Sequence, residues 1–123
     1  MDMPSPEKAD LLWENAMATE SAIKSAAENV LIAYLRESKG YKNIVVDALH
    51  PGIADIYAIG SRNGLLIQIK YAITPIEPGC LSEKEITSIK ARAAEKKAQP
   101  WEARIMLDES LQLKGSIEFR LLS

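Results

Sequence analysis

An acidic, an amide and a basic side chain interrupt two apolar segments of this chain. Asp55 stands inside IADIYAI, and Gln68 and Lys70 stand inside LLIQIKYA. Gln68 and Lys70 are two residues apart, so in a β-strand both side chains point to the same face. Ionised groups on a mostly buried sheet are costly unless they are paired or bind a metal ion. The pattern therefore predicts either a bound metal ion or an Asp–Lys pair that only serves the specificity of the sheet.

The two apolar segments are predicted to form a β-hairpin. They flank residues 61–64, and Asn63-Gly64 is a strong hairpin signal because both residues tolerate positive φ. Such a hairpin places the strand that carries Asp55 beside the strand that carries Gln68 and Lys70.

A helix that precedes the hairpin is expected to carry a further carboxylate. Apolar residues recur at steps of three and four before Gly40, which predicts an amphipathic helix with Thr19 or Ser21 as its N-cap. Glu28 falls at the margin of the apolar stripe, so its carboxylate can lean toward the sheet that the helix covers. Glu20 is a rival, although a negative charge near a helix start is favourable in any case.

The remaining elements complete a mixed α/β pattern. Ser82 is predicted to cap a second helix in a capping box with Glu85, and this helix ends near Ala98. Further strands are predicted at residues 41–48, 103–107 and 117–122. The order of one helix, three strands, one helix and two strands favours an α/β sandwich with one helix on each side of the sheet. Residues 1–18 are interpreted as an N-terminal arm or short helix, and residues 19–123 as a single domain.

Composition limits the classes of function. A chain of 123 residues with 47% hydrophobic and 26% charged residues is typical of a soluble globular protein, which we expect to be cytoplasmic. No apolar run approaches the ~20 residues that a membrane span needs, so no membrane association is expected. The single cysteine, Cys80, excludes an internal disulfide, and the single histidine, His50, leaves no partner for a paired metal site or a triad.

The second predicted helix is locally basic although the net charge of the chain is −2. Lys84, Arg92 and Lys96 lie at multiples of four residues and form a mainly basic stripe. Such a stripe attracts phosphate at short range, because charges beyond about 10 Å are screened at ordinary salt. The alternative is a solvated helix face with ordinary lysines and glutamates.

These features resemble the PD-(D/E)XK nuclease superfamily. An early helix with a Glu, a strand, G-x-x-D-I-Y-A-I, L-L-I-Q-I-K, a second helix and a strand are similar to archaeal and phage Holliday junction resolvases and to Mrr-like restriction nucleases. ENVLIAYLRESKGY resembles the first helix of the resolvases, with the metal-site Glu at Glu28, a leucine at Leu35 and the terminal pair at Gly40-Tyr41. The resemblance covers residues 19–122 and implies a restriction-endonuclease-like core, an α/β fold with a mixed β-sheet flanked by helices.

The resemblance implies a metal-dependent DNA endonuclease that hydrolyses phosphodiester bonds and selects DNA by structure, as a Holliday junction resolvase does. Glu28, Asp55, Gln68 and Lys70 would be catalytic. Mg²⁺ or Mn²⁺ would be held by Glu28, Asp55, Gln68 and the backbone carbonyl of Ile69. Lys70 would orient or help deprotonate the attacking water, or stabilise the developing charge.

The resemblance also implies partners. DNA, in particular a branched or four-way junction, would be held through its phosphates by basic side chains at the hairpin tip and on the second helix, namely Arg62, Lys84, Arg92 and Lys96. Resolvases of this kind are two-fold dimers, so a homodimer is expected.

Three positions depart from the family pattern, and the first is Ala54, where a proline often precedes the Asp. Gln68 replaces the usual acidic residue, as it does in some Mrr-like branches, and its amide supplies no negative charge to a cation. We therefore expect weaker metal binding and a greater need for Glu28. The resolvases often carry a Gln at the start of their second helix, where this chain has Lys84 or Glu85. A restriction-like (Mrr-type) nuclease, a catalytically silent nuclease-fold protein that binds DNA or a partner, and a purely structural module remain alternatives.

Overall fold

The computed structural model describes residues 6–46, 56–60 and 63–122, with side chains of the first helix described from residue 20 onward. The elements are α1 (Pro6–Lys39), β1 (Asn43–Val46), β2 (Ile56–Ile59), β3 (Gly64–Ile73), α2 (Glu83–Lys96), β4 (Ala98–Leu107) and β5 (Glu118–Leu121). The predicted order of helix, three strands, helix and two strands is confirmed. The described residues include no helix that is both long and apolar enough to cross a membrane.

The described strands form one mixed sheet in the order β1-β2-β3-β4-β5. The pairing of β3 with β4 is parallel, and α2 makes the crossover between them, whereas the other neighbours are antiparallel. In this register Gln68 lies beside Glu102 and Lys70 beside Arg104. A helical crossover between parallel strands places its helix on one face of the sheet, which leaves the other face for α1.

The two helices lie on opposite faces, so the α/β sandwich is confirmed. The buried residues of the α1 side are Ala27, Leu31, Leu35, Ile56, Ala58, Ile67, Ile69, Ala103, Ile105 and Leu107, and those of the α2 side are Leu66, Leu81, Ile89, Ala93 and Leu122. Successive strand residues point to opposite faces, and Ile67 and Ile69 therefore face α1 whereas Leu66 faces α2. Gln68 and Lys70 alternate with the two isoleucines and share the face that α2 covers.

The first helix is longer than predicted. It runs without interruption from Pro6 to Lys39, so Thr19 and Ser21 lie inside it and the predicted N-cap is wrong. No glycine or proline occurs between these ends of the helix, and a Ser or Thr starts a helix only where the preceding turn is absent. Gly40, with φ of 73°, ends the helix as predicted. The boundary drawn between residues 18 and 19 stays a prediction.

The second helix begins as predicted, but the strand after it is longer. Ser82 caps α2 in a capping box with Glu85, and Lys97 in the left-handed conformation ends the helix. β4 then starts at Ala98, earlier than the predicted residue 103, although Pro100 lies within it. The Pro100 carbonyl still accepts a hydrogen bond from Leu122 N–H, so the proline removes a donor from this strand but keeps its acceptor.

The β2–β3 hairpin is confirmed, but Gly64 has a different role from the predicted one. Gly64 pairs with Ile59 as the first residue of β3, and its φ is not positive. A Cβ at position 64 would lie 3.0 Å from Cε2 of Tyr57 and 3.1 Å from its hydroxyl oxygen. The ammonium of Lys96 lies 4.9 Å from the centre of the same ring. A larger residue at position 64 would therefore have to displace the tyrosine ring that passes over the backbone.

Gly64→Ala is expected to destabilise the protein by about 1–2 kcal/mol, because the added methyl group must displace the Tyr57 ring. Urea unfolding followed by circular dichroism would measure the change. Gly79→Ala is the matched control, since a Cβ at Gly79 has no neighbour within 4 Å. A similar free energy of unfolding for the two variants would contradict this role for Gly64.

Candidate active site

Gln68 and Lys70 of β3 meet a carboxylate of α2. The ammonium of Lys70 lies 2.9 Å from Oε2 of Glu85, and the side-chain amide of Gln68 donates to the same oxygen at 3.2 Å. Gln68 is buried, whereas the side chains of Lys70 and Glu85 are 30% and 29% exposed. A carboxylate, an amide and an ammonium therefore form one cluster at the border between the interior and the surface.

The start of α2 fixes this carboxylate. The Ser82 hydroxyl accepts from Glu85 N–H at 3.1 Å, and Ser82 N–H donates to Oε1 of Glu85 at 3.0 Å. One carboxylate oxygen thus caps the helix while the other reaches the strand. The bond from Ser82 N–H and the nearby Lys70 ammonium lower the pKa of Glu85 below its usual value, against a smaller opposing effect of burial. Glu85 is therefore ionised at neutral pH.

Glu85 is predicted from the sequence as a capping-box residue and is missing from the predicted site. The signal that places it there is the βαβ connection. A crossover helix runs antiparallel to the strands it connects, so its first turn lies near the carboxyl end of the preceding strand. Lys70 stands in that half of β3, and the N3 residue of α2 is therefore close to it.

A buried carboxylate, absent from the predicted site, holds the segment before α2. Glu102 is 2% exposed, accepts from Leu81 N–H at 2.6 Å and pairs with Nε of Arg120 at 3.1 Å. Its neighbour on β4, Arg104, donates to the carbonyls of Pro78 and Gly79. These bonds fix the loop that leads into α2, and they consequently fix the position of Glu85.

Glu28 lies on α1, which covers the other face of the sheet, and it is half-buried. The α1 C-terminus leads into Asn43, whose partner Ile59 pairs with Gly64 at the start of β3. Glu28 precedes Leu35 by two helical turns, which is about 10 Å along the helix. It thus belongs to the helix that covers the face of the sheet opposite to Gln68 and Lys70.

Glu28 and the cluster of Gln68, Lys70 and Glu85 belong to opposite faces of the sheet. Within the described residues, β2 pairs with β3 only from Gly64 to Ile67, so Gln68 begins the part of β3 without a described neighbour on that side. Asp55 lies outside the described residues. It is covalently bonded to Ile56, whose partner is Ile67.

The predicted ligands offer oxygen atoms, which suit a hard divalent cation such as Mg²⁺ or Mn²⁺. They are Glu28, Asp55, Gln68 and the backbone carbonyl of Ile69. No three His, Cys, Asp or Glu side chains gather for a metal within the described part of the chain, which excludes residues 47–55. A cation held at this edge would therefore need the Gln68 amide oxygen or Asp55 in addition to the described carboxylates.

The predicted DNA-binding residues of α2 differ in their surroundings. Lys84 is exposed, Arg92 pairs with Glu95 at 3.3 Å, and Lys96 stacks over Tyr57 of β2. Arg62 lies outside the described residues. The contact with Tyr57 shows that the C-terminal end of the basic stripe faces the β2 side of the sheet.

Comparisons with known proteins support the fold. A scan against models of protein families gives no match, and a search of curated protein sequences gives none either. Among solved structures, the chain is similar to Hjc, a Holliday junction resolvase from the archaeal hyperthermophile Archaeoglobus fulgidus. The TM-score is 0.54 at 19% identity, over 80% of this chain and 76% of the resolvase. The chain has the restriction-endonuclease-like fold.

The restriction-endonuclease-like fold confirms the predicted fold class, with a mixed sheet between two helices. At 19% identity the likeness concerns the path of the chain and not its chemistry. Any activity of this chain therefore depends on the residues in the carboxyl half of β3.

Proposed function

We propose that this protein is a Mg²⁺- or Mn²⁺-dependent DNA endonuclease that selects branched DNA, in the manner of a Holliday junction resolvase. The observation that carries the proposal is the cluster of Gln68, Lys70 and Glu85 in the carboxyl half of β3, within a fold shared with a resolvase. A buried amide next to an ammonium and a carboxylate is costly to maintain for stability alone, since apolar residues would fill the same volume.

Four groups would hold the metal. They are Asp55, the amide oxygen of Gln68, the backbone carbonyl of Ile69 and, from the α1 side, Glu28. Asp55 supports this set because it is bonded to Ile56, whose strand partner Ile67 precedes Gln68, and Glu28 supports it as a half-buried carboxylate of α1. A bound metal would lower the pKa of water and offset charge on the scissile phosphate.

Lys70 would act on the reacting groups. Its ammonium is partly exposed and is held beside the proposed ligands by Glu85. From there it would orient the attacking water and stabilise the negative charge that develops on the phosphate. Gln68, with no charge of its own, would leave this stabilisation more dependent on Lys70 than in a site with two strand carboxylates.

The DNA backbone would be bound by Arg62, Lys84, Arg92 and Lys96. The stripe on α2 begins next to Glu85 and reaches Tyr57 on β2, so it leads past the proposed site. Contacts to phosphates carry no sequence information, which supports selection by DNA shape. Two copies related by a two-fold axis would cut a junction symmetrically.

A cleavage assay would test the proposal. A four-way junction and a linear duplex of the same sequence are incubated with Mg²⁺, Mn²⁺ or EDTA, and products are resolved on a denaturing gel. We expect metal-dependent cutting of the junction that exceeds cutting of the duplex by about tenfold or more, with binding that weakens as salt rises. Asp55→Asn and Glu28→Gln should each reduce cutting by about a hundredfold or more, whereas Glu37→Gln, an exposed change on the same helix as Glu28, should not.

The outcomes separate the alternatives. Equal cutting of the junction and the duplex would favour the restriction-like nuclease. Junction binding in EDTA without cutting in either metal would favour a catalytically silent binding protein, which the missing charge at Gln68 makes the main rival. A protein that neither binds nor cuts the junction would contradict both the endonuclease and the catalytically silent binding protein.

A further inference from the structure

We propose that Glu85 is a positioning residue of this site, which turns the amide of Gln68 so that its oxygen faces the cation and holds Lys70 beside it. The inference rests on the proposed function, because it concerns the same metal. It deepens that proposal by explaining how a site with an amide at the strand position can still bind a cation.

Glu85 sets the orientation of the Gln68 amide. An amide group has one oxygen and one NH₂, and only the oxygen can ligate a cation. The NH₂ of Gln68 donates to Oε2 of Glu85 at 3.2 Å. Rotation of the amide by half a turn would bring two oxygens together, one of them charged. Glu85 therefore selects the orientation in which the Gln68 oxygen points away from α2.

The negative charge of Glu85 acts on the Gln68 amide. Gln68 is neutral, and the anionic Glu85 lies within hydrogen-bonding distance of it. A carboxylate that bonds to a ligand group orients that group and increases the electron density on its donor atom. The hydrogen bond from Gln68 to Glu85 thus makes the amide oxygen a better ligand than an isolated amide would be.

The Glu85 carboxylate is fixed in place by the start of α2. Glu85 cannot move freely, because its other oxygen accepts from Ser82 N–H at 3.0 Å. Leu81, the residue before Ser82, donates its N–H to the buried carboxylate of Glu102. Capping box and buried carboxylate together hold Glu85 over β3 before any ligand arrives, which is the preorganisation that a positioning residue requires.

The test measures binding of Mn²⁺ alone, by calorimetric titration and by the loss of the electron paramagnetic resonance signal of the free ion. Glu85→Gln retains the capping box, which accepts Gln at this position. It places an amide NH₂ against Gln68 and should turn the Gln68 oxygen toward α2. We expect a loss of Mn²⁺ affinity of about tenfold or more. Glu83→Gln removes an exposed charge from the same helical turn and should change the affinity by less than about twofold.

A double-mutant cycle with Gln68→Glu separates positioning from a general loss of charge or of stability. Gln68→Glu with Glu85 in place brings two carboxylates together, whereas Gln68→Glu/Glu85→Gln restores an amide–carboxylate pair in reversed order. The gain in Mn²⁺ affinity from Gln68→Glu should therefore be about tenfold or more larger in the Glu85→Gln background. Urea unfolding midpoints would confirm that the variants are folded.

The two proposals fail differently. If the wild type does not bind Mn²⁺, the metal site is wrong and the inference falls with it. If the wild type binds Mn²⁺ and Glu85→Gln binds it equally well, or if the effects in the cycle are additive within about twofold, then Glu85 has no positioning role and the proposed function stands.

Discussion

Lys70→Ala is expected to reduce the rate of DNA cleavage by about a hundred- to ten-thousandfold at saturating metal, while DNA binding is kept. The ammonium is the one side chain of the β3 cluster that carries positive charge, and Gln68 supplies no charge to the proposed metal. Removal of Lys70 would therefore take away both the group that orients the water and a large part of the charge stabilisation. Single-turnover cleavage of a labelled junction would measure the loss.

The same change should hardly affect stability. Lys70 and Glu85 are 30% and 29% exposed, and ion pairs of that exposure contribute about 0–1 kcal/mol. Lys70→Ala should accordingly change the free energy of unfolding by less than about 1 kcal/mol. A catalytic residue and a purely structural ion pair are therefore distinguished by the cleavage rate, which the loss of a structural pair would leave unchanged.

Lys90→Ala is the matched control for Lys70→Ala. Lys90 is an exposed lysine of α2 that is not part of the proposed site or of the basic stripe. Its replacement should leave the cleavage rate within about twofold of the wild type. A Lys70→Ala variant that cleaves junctions as fast as Lys90→Ala would contradict the assignment of Lys70 as a catalytic residue.

Glu102→Ala is expected to destabilise the protein by about 3 kcal/mol. The buried carboxylate accepts from Leu81 N–H at 2.6 Å, and removal of the acceptor leaves that donor without its bond in a mostly buried place, which costs about 1–3 kcal/mol. The truncated side chain also leaves a void between α2 and the sheet, with a further cost of about 1–2 kcal/mol. The change should be visible in urea unfolding as a lower midpoint at unchanged slope.

A carboxylate on the neighbouring strand provides the control. Glu118 pairs with Arg104 at 2.6 Å, but its side chain is 69% exposed, so Glu118→Ala should cost less than about 1 kcal/mol. The prediction for Glu102 is wrong if both variants unfold at the same urea concentration. Glu102→Gln, which keeps one acceptor for Leu81, should lie between the two.

The sequence by itself determined the features that depend on local periodicity. The alternation in LLIQIKYA placed Gln68 and Lys70 on one face, and the spacing of Ser82 and Glu85 placed the start of α2. The order of elements followed from the same patterns, and with it the fold class. The chain also contains local signals that mislead, as the unused helix cap at Thr19 shows, because a cap residue does not begin a helix when the preceding turn is already formed.

Only the tertiary structure decided which polar groups meet. Glu85 illustrates the division, since its bond to Ser82 spans three residues whereas its bond to Gln68 spans 17. The bond between Leu81 and Glu102 spans 21 residues. Contacts of this kind depend on how the crossover helix packs on the sheet, and neither strand nor helix periodicity contains that information. Sequence patterns specify which face a side chain occupies, and only the packing of α2 against β3 and β4 specifies what it touches there.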